Sequence, residues 1–124
     1  MKLIKGSHKG FFAVCSDTAR HISHCLANNE QWHIQWGDET SLYLDTEYGN
    51  NVWEYYFKQL YPLTAVSTTV SDYTDIILLK DKSFRATMNY IYNNFFLLND
   101  KVQNILEPHF DFFSKNKILG VHIR

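Results

Sequence analysis

Short apolar runs with strand-like patterns alternate along this chain with longer stretches whose apolar residues recur at helical spacing. Because side chains repeat every two residues in a strand and every 3.6 residues in a helix, the two patterns indicate different structures. Their order along the chain is strand, helix, strand, helix, loop, helix, helix, strand. Such alternation favours an α/β fold, most economically a parallel sheet with helices on its faces.

The N-terminal part of the chain carries two predicted strands with a helix between them. Residues 11–15, FFAVC, are continuously apolar, which is typical of a parallel strand covered on both faces. Ser16 or Asp17 would cap the helix that follows, since either side chain can accept a hydrogen bond from a first-turn amide. Apolar residues then recur at helical spacing until about residue 28, and the alternation in residues 32–36 predicts a second strand.

The middle of the chain predicts a helix followed by a loop. Asn50 or Asn51 is the expected N-cap, and apolar positions share one helical face until Pro62 ends the pattern. Residues 63–75 are rich in Ser and Thr, which predicts a loop with short extended pieces. Residues 76–79 form an apolar run that fits either a strand or a loop.

Two helices and a strand are predicted in the C-terminal part. Residues 84–95 carry an apolar helical stripe, and Asn99 opens a second helix that Pro108 would bend and that ends near residue 116. Residues 118–123 are a final apolar run that predicts a strand. The whole pattern therefore predicts a Rossmann-like parallel sheet with flanking helices, in which ligands bind at the carboxyl ends of the strands.

Composition argues against several classes of protein. The 124 residues fit one domain, and twelve Lys and Arg against thirteen Asp and Glu leave a net charge of −1, so there is no basic field for nonspecific nucleic-acid binding. No stretch approaches the roughly 20 apolar residues of a membrane-spanning helix, and no signal peptide is visible. Cys15 and Cys25 lack the spacing of a redox or zinc pair, so we expect buried thiols in a cytoplasmic protein.

Three groups of side chains have a chemical interpretation beside a structural one. His21, His24 and Cys25 resemble part of a metal cluster, but no second ligand pair completes it, so we expect surface histidines and a core cysteine. A second group consists of loop carboxylates. They are interpreted either as acid–base residues or as side chains that simply face solvent. The third group is an aromatic segment. It is interpreted either as a platform on which sugars or bases stack or, more commonly, as part of the core. The carboxylates are Asp38, Glu39, Asp45 and Glu47, and the aromatic residues are Trp53, Tyr55, Tyr56 and Phe57.

The last five residues form the remaining candidate site. Strand alternation places His122 and Arg124 on the same side of the final strand. An arginine suits a pyrophosphate because its planar guanidinium donates two parallel charge-assisted hydrogen bonds. A histidine two residues earlier would donate to the same ligand or orient the arginine. The alternative is a solvated strand end that binds nothing.

Residues 117–124, KILGVHIR, resemble the start of the H-x-R-x-x-D motif of fucosyltransferases of the nodulation, α-1,6 and α-1,2 types and their relatives. Two further segments agree with that family and occur in the right order. Residues 10–14, GFFAV, look like its opening strand, and residues 51–57, NVWEYYF, are similar to a segment of its members. The resemblance therefore spans nearly the whole chain, although only the last motif is tied to function.

This resemblance implies the N-terminal half of a GT-B-type enzyme, which is built from two Rossmann-like domains. Enzymes of that family transfer fucose from GDP-fucose to a glycan hydroxyl with inversion and without an obligatory metal, and a related GDP-sugar is the alternative donor. The family's motif gives Arg124 the catalytic role of binding the donor pyrophosphate and stabilising the leaving GDP. His122 would support that contact.

The motif's Asp would lie three positions past Arg124, and the C-terminal domain that holds most of the nucleotide-sugar site would follow it. We therefore expect residues 1–124 to be a truncated N-terminal α/β domain that transfers no fucose by itself. The alternative is a complete small binding domain that acts through a partner or as a homodimer. Its exposed sheet edge and aromatic helix face would then be covered in the complex.

Overall fold

A small parallel sheet lies at the centre of the fold. The structure, a computed structural model, describes residues 1–40, 42–117 and 120. The strands are β1 (Lys2–Lys5), β2 (Trp32–Gln35) and β3 (Thr68–Val70). β1 is central and pairs in parallel with β2 on one side and with β3 on the other. The chain thus has the predicted α/β character, with a sheet of three strands among the described residues.

Four α-helices accompany this sheet in the described part of the chain. They are α1 (Phe11–Ala27), α2 (Val52–Tyr56), α3 (Phe84–Phe95) and α4 (Asp100–Lys115). Two 3₁₀ turns, Asp38–Thr40 and Thr46–Tyr48, lie between β2 and α2. α1 connects β1 to β2 on one side, and the chain then returns across the sheet to form β3 on the other side of β1.

The predicted strand at residues 11–15 is wrong, because these residues form the first turns of α1. Val14 is buried whereas Phe12 is 84% exposed, although a strand would direct these two side chains to the same face. A short apolar run fits a buried helix as well as a buried strand, so the run by itself does not decide. The first strand is instead Lys2–Lys5, whose four residues are too few to establish an alternating pattern.

The predicted caps of this helix also differ from the structure. Gly10 is the N-cap of α1, in an extended conformation and without a side-chain cap. Asp17 lies inside the helix, where its carboxylate accepts a hydrogen bond from Lys9 Nζ at 2.6 Å. Because the helix begins well before the expected position, Ser16 is also an interior residue.

Helix starts later in the chain are confirmed. Asn51 Oδ1 accepts a hydrogen bond from the amide of Trp53 at 3.2 Å and caps α2. Asn99 Oδ1 accepts from the amide of Val102 at 2.9 Å and caps α4. α3 has the predicted bounds, and α4 continues through Pro108 to its last turn.

The helix expected to run as far as Pro62 ends at Tyr56 instead. The next residue, Phe57, turns extended and forms an antiparallel bridge with Leu98. This bridge joins the end of α2 to the segment that leads into α4. A contact distant in sequence therefore ends the helix before its apolar pattern does.

Residues 76–79 form no strand, which settles their ambiguous pattern. The amide of Ile77 donates to Ser23 Oγ at 2.9 Å, and the amide of Leu79 donates to Thr87 Oγ1 at 3.2 Å. Side chains of α1 and α3 thus take two of the backbone donors that a sheet partner would otherwise use.

The core lies on one face of the sheet, beneath α1 and α3. Ile4 and Ile34 are neighbours in register on β1 and β2, and both are buried in this core. α3 packs on α1, and its Phe95 ring lies 5.3 Å from the ring of Trp32. Side chains on the opposite face of the sheet, which alternation assigns to Leu3, Lys5, His33 and Gln35, are only half-buried.

Candidate functional site

The carboxyl ends of β1 and β2 lie side by side and carry polar residues. Lys5 ends β1 and is in register with Gln35, which ends β2, so both side chains project from the same face of the sheet. His33 lies two residues before Gln35 on this face. This is the end of a parallel sheet at which α/β proteins place their ligands.

A hydrogen-bonded turn after β2 places a carboxylate beside these residues. The amide and the hydroxyl of Thr40 both donate to the carbonyl of Gly37, at 2.9 and 2.7 Å, and the Thr40 side chain is buried. Asp38 lies within this turn and is exposed. The loop after β1 approaches the turn so closely that a Cβ at Gly6 would collide with the Thr40 methyl group. A glycine is therefore needed at that position.

The first of two adjoining cavities lies at this end of the sheet and has a volume of about 380 Å³. Its lining residues are Lys5, Gln35, Gly37, Asp38 and Asn50. These residues supply one ammonium, one carboxylate and two carboxamides, so the lining is rich in both hydrogen-bond donors and acceptors and its formal charges cancel.

The second cavity has a volume of about 240 Å³ and shares Gln35 and Asn50 with the first. Tyr48, Glu54 and Leu63 distinguish its lining, which also includes His33, Gly49 and Asn51. Because the same two carboxamides line both cavities, the two spaces are neighbours. We refer to this pair of cavities as the β2 groove.

A network of hydrogen bonds positions Tyr48 at the groove. The hydroxyl oxygen of Tyr55 lies 2.7 Å from the carbonyl oxygens of both Asp45 and Gly49, so its single proton is donated to one or the other, and the hydroxyl lies between the two sides of the 3₁₀ turn. Gly49 has a φ of +115°, a conformation that favours glycine. Lys101 Nζ lies 4.9 Å from the centre of the Tyr48 ring, which remains 65% exposed.

Carboxamide side chains hold the outer edge of β2, which forms the wall of the groove. Asn51 Oδ1 accepts from the amide of Trp36 at 2.9 Å, and Asn51 Nδ2 donates to the carbonyl of Ile34 at 2.9 Å. Gln59 also pairs with both backbone groups of Ile34. The free edge of the strand is therefore occupied by side chains of its own chain, as edge strands commonly require.

The two site residues implied by the family resemblance, His122 and Arg124, lie outside the described residues. The predicted strand at residues 118–123 also falls there, except for Gly120.

The histidines and cysteines have structural roles. Cys25 is fully buried, as predicted, and burial raises its pKa to about 11 and that of Cys15 to about 12. His21, expected on the surface, is buried, and its Nε2 lies 2.7 Å from the carbonyl of Asp72. Burial lowers the pKa of His21 because it penalises the charged ring. In residues 1–40, 42–117 and 120 no group of three or more His, Cys, Asp or Glu side chains could hold a metal ion.

The predicted carboxylates and aromatic residues are divided between structure and site. Asp38 lines the first cavity, whereas Asp45 Oδ1 caps a 3₁₀ turn by accepting from the amide of Glu47 at 3.1 Å. Trp53 is fully buried, which confirms the core role for this residue, and its ring lies 5.2 Å from that of Trp36. Tyr55 and Phe57 are half-buried against the core, whereas Tyr56 is exposed, so the core role is wrong for Tyr56. The side chain of Glu39 lies outside the described part.

Sequence reasoning missed Lys5, Gln35, Asn50 and Tyr48 as site residues. Gln35 lies in the strand predicted at residues 32–36, so the rule that ligands bind at strand ends points to it. The sequence does not point to Lys5, because the four residues of β1 are too few to be recognised as a strand. Nothing in the sequence brings Asn50 and Tyr48 to this end of the sheet, since only the folded loop does so.

No protein family, curated protein or solved structure matches this chain. Among the helices of the described residues, none has both the length and the apolar character needed to cross a membrane.

Proposed function

We propose that this chain is the acceptor-binding domain of a glycosyltransferase that resembles the GDP-fucose-dependent fucosyltransferases. The observation that carries the proposal is the polar β2 groove at the carboxyl ends of two parallel strands. The family resemblance of the sequence supplies the reaction class, and the groove supplies a place for the glycan.

The chemistry of the groove suits a neutral ligand rich in hydroxyl groups. A sugar hydroxyl both donates and accepts hydrogen bonds, and carboxamides such as those of Gln35 and Asn50 can satisfy both demands. A phosphate would require cations or several backbone amides directed at it. Among the described residues that line the first cavity, Lys5 is the only cation, and Asp38 offsets its charge.

In an inverting transfer the acceptor hydroxyl attacks the anomeric carbon of the donor sugar. A new carbon–oxygen bond forms, the bond to the donor phosphate breaks, and GDP leaves with the bonding electrons. The proton of the hydroxyl passes to a general base, and we assign this role to the Asp38 carboxylate at the end of the groove. Arg124, with His122, would stabilise the diphosphate as it leaves.

Isothermal titration calorimetry tests the proposal with uncharged methyl glycosides of common hexoses and N-acetylhexosamines. We expect at least one glycoside to bind, and Asn50→Ala to weaken that binding by about tenfold through the loss of its hydrogen bonds. Asn93→Ala is the matched control, because Asn93 is an exposed asparagine of α3, which packs on α1 over the other face of the sheet. If no glycoside in the panel binds, or if both variants lose affinity equally, the proposal fails.

The second candidate function is an interaction domain, and the exposed apolar surface of α4 favours it. Ile105, Phe110, Phe112 and Phe113 are each more than half exposed, and no residue of α4 is buried. Patches of this kind mark surfaces that bind other proteins. Size-exclusion chromatography with light scattering tests this function, which predicts a dimer whose mass does not change on dilution. A monomer that binds glycosides excludes self-association as the main role.

A further inference from the structure

Tyr73 lies in the connection from β3 to α3, in a stretch that forms neither helix nor strand. Polar side chains of α1 hold the backbone of this stretch on both sides of Tyr73. His21 Nε2 lies 2.7 Å from the carbonyl oxygen of Asp72, and Ser23 Oγ accepts from the amide of Ile77 at 2.9 Å. The backbone is therefore anchored on α1, whereas the Tyr73 side chain is 58% exposed.

The Tyr73 hydroxyl lies beside the guanidinium of Arg20, which belongs to α1. Arg20 Nη1 donates to the hydroxyl oxygen at 3.2 Å, and the guanidinium carbon lies 4.7 Å from the centre of the Tyr73 ring. The centre of the Phe84 ring lies 5.6 Å from the same carbon. Both distances fall within the range of cation–π attraction, so two rings hold the guanidinium next to the hydroxyl.

Arg20 is a cation without an anionic partner. In the part of the chain that the structure describes, no Asp or Glu carboxylate forms an ion pair with it. Its Nε is buried and has no hydrogen-bond acceptor. Because a guanidinium keeps its charge at any physiological pH, a negative group at the Tyr73 oxygen would supply the missing counter-charge.

The hydroxyl of Tyr73 is only weakly engaged and is available to react. It donates to Asp75 Oδ1 at 3.3 Å, which is longer than a typical hydrogen bond between two oxygen atoms. Its contact with Arg20 is also long, and both contacts are exposed to solvent. An enzyme that takes up this side chain therefore displaces little.

We propose that Tyr73 is a phosphorylation site and that Arg20 holds the phosphate. In the transfer, the Tyr73 oxygen attacks the γ-phosphorus of ATP bound to a protein tyrosine kinase. A phosphorus–oxygen bond forms, the bond from the γ-phosphorus to the β,γ-bridging oxygen breaks, and ADP leaves with the bonding electrons. A carboxylate base of the kinase takes the hydroxyl proton. The site lies at α1, away from the β2 groove, and does not depend on the proposed function.

The phosphate fastens the stretch around Tyr73 more tightly to α1. A phosphate dianion forms charge-assisted hydrogen bonds with a guanidinium, and these are stronger than the present bond to the hydroxyl. The phosphate also repels Asp75, but that side chain is exposed and can turn into solvent. Arg20 is held by two rings and stays beside the phosphate.

Tyr48 provides a matched comparison within the same chain. It is 65% exposed, slightly more than Tyr73, but it lies in a 3₁₀ turn and has Lys101 Nζ 4.9 Å from its ring centre. A protein kinase takes its substrate tyrosine in an extended segment. The turn should therefore make Tyr48 the poorer substrate in spite of its greater exposure.

The first test incubates the chain with Mg²⁺, ATP and a tyrosine kinase domain of broad specificity, and mass spectrometry measures the phosphate on each tyrosine over time. We expect Tyr73 to be phosphorylated several times faster than Tyr48. Tyr73→Phe should remove the signal at position 73 and leave the signal at Tyr48 unchanged. Absence of phosphate at Tyr73, or a rate there that does not exceed the rate at Tyr48, overturns the proposal.

Phosphorus nuclear magnetic resonance tests the contact with Arg20. Phosphotyrosine is incorporated at position 73 during translation, and the phosphate is titrated with pH. A guanidinium beside the phosphate stabilises the dianion and lowers the pKa of the phosphate. We expect Arg20→Gln to raise this pKa by about half a pH unit or more.

Arg85→Gln is the matched control, because it removes the same charge from an exposed position of α3. It should leave the pKa of the phosphate unchanged. Circular dichroism verifies that each variant is folded, and Arg20→Met replaces the glutamine variant if that variant is not. A phosphate pKa that does not respond to the loss of Arg20, or that responds equally to the loss of Arg85, overturns the role of Arg20. Neither result bears on the binding of glycosides.

Discussion

At the scale of single residues, two adjacent asparagines have different surroundings, and we propose that one stabilises the fold and the other binds the ligand. Asn51 caps α2 and also hydrogen-bonds with two backbone groups of β2, whereas Asn50 is exposed and lines both cavities. Their side chains are chemically identical. The fold therefore gives one asparagine a structural role and leaves its neighbour available for a ligand.

Replacing Asn51 with alanine is expected to lower the free energy of unfolding by about 2–3 kcal/mol. The change removes a helix N-cap and leaves the Trp36 amide without its acceptor, and each loss is typically worth about 1 kcal/mol or more. Equilibrium unfolding in urea measures the difference between the variant and the wild type.

Asn50→Ala is the control for this experiment and should change stability by less than about 0.5 kcal/mol, since the side chain is exposed. If the two variants are equally stable, Asn51 does not have the structural role described above. If Asn50→Ala is the less stable variant, its effect on sugar binding cannot be attributed to the groove.

At the level of elements, the first turns of α1 decide how the N-terminal part of the chain is organised. A helix buries Val14 and exposes Phe12, whereas a strand would place both side chains on one face. Val14→Ser should therefore lower the free energy of unfolding by about 2–3 kcal/mol, through lost apolar burial and a buried hydroxyl. Phe12→Ser should change it by less than about 0.5 kcal/mol. Comparable losses in urea unfolding would favour the strand.

Elements with long periodic patterns were predictable from the sequence. α3 and the start of α4 combine an apolar stripe with an N-capping side chain, and both signals are local. The strand β2 was recognised because two tryptophans flank an alternating pattern. In contrast, the end of α2 depends on the bridge between Phe57 and Leu98, which lies far from α2 in sequence.

The candidate site was predictable only in part, because some of its residues reach the groove only through contacts between segments that lie apart in sequence. The general rule for parallel sheets places ligands at strand ends, and Asp38 follows a correctly predicted strand. Lys5 requires β1 to be recognised, and its four residues give too weak a pattern. Tyr48 reaches the groove through the hydrogen bonds of Tyr55, which no local pattern reveals.

At the scale of the whole molecule, the two faces of the sheet differ, since one carries the apolar core and the other carries polar residues. α1 and α3 cover the face that carries Ile4 and Ile34, and most of the apolar core is there. Lys5 and Gln35 project from the other face and line the groove. Parallel sheets are usually covered on both faces, and we propose that a glycan binds on this polar side.

Nuclear magnetic resonance tests this proposal, because it locates the bound ligand on the 14.7 kDa chain. The methyl glycoside with the highest calorimetric affinity is added to the ¹⁵N-labelled protein, and the backbone amides whose shifts change are mapped. We expect the changes to concentrate at the groove residues Lys5, Gln35, Asp38, Tyr48 and Asn50. Changes confined to the exposed face of α4 or to the first turn of α1, with the groove amides unmoved, would contradict it.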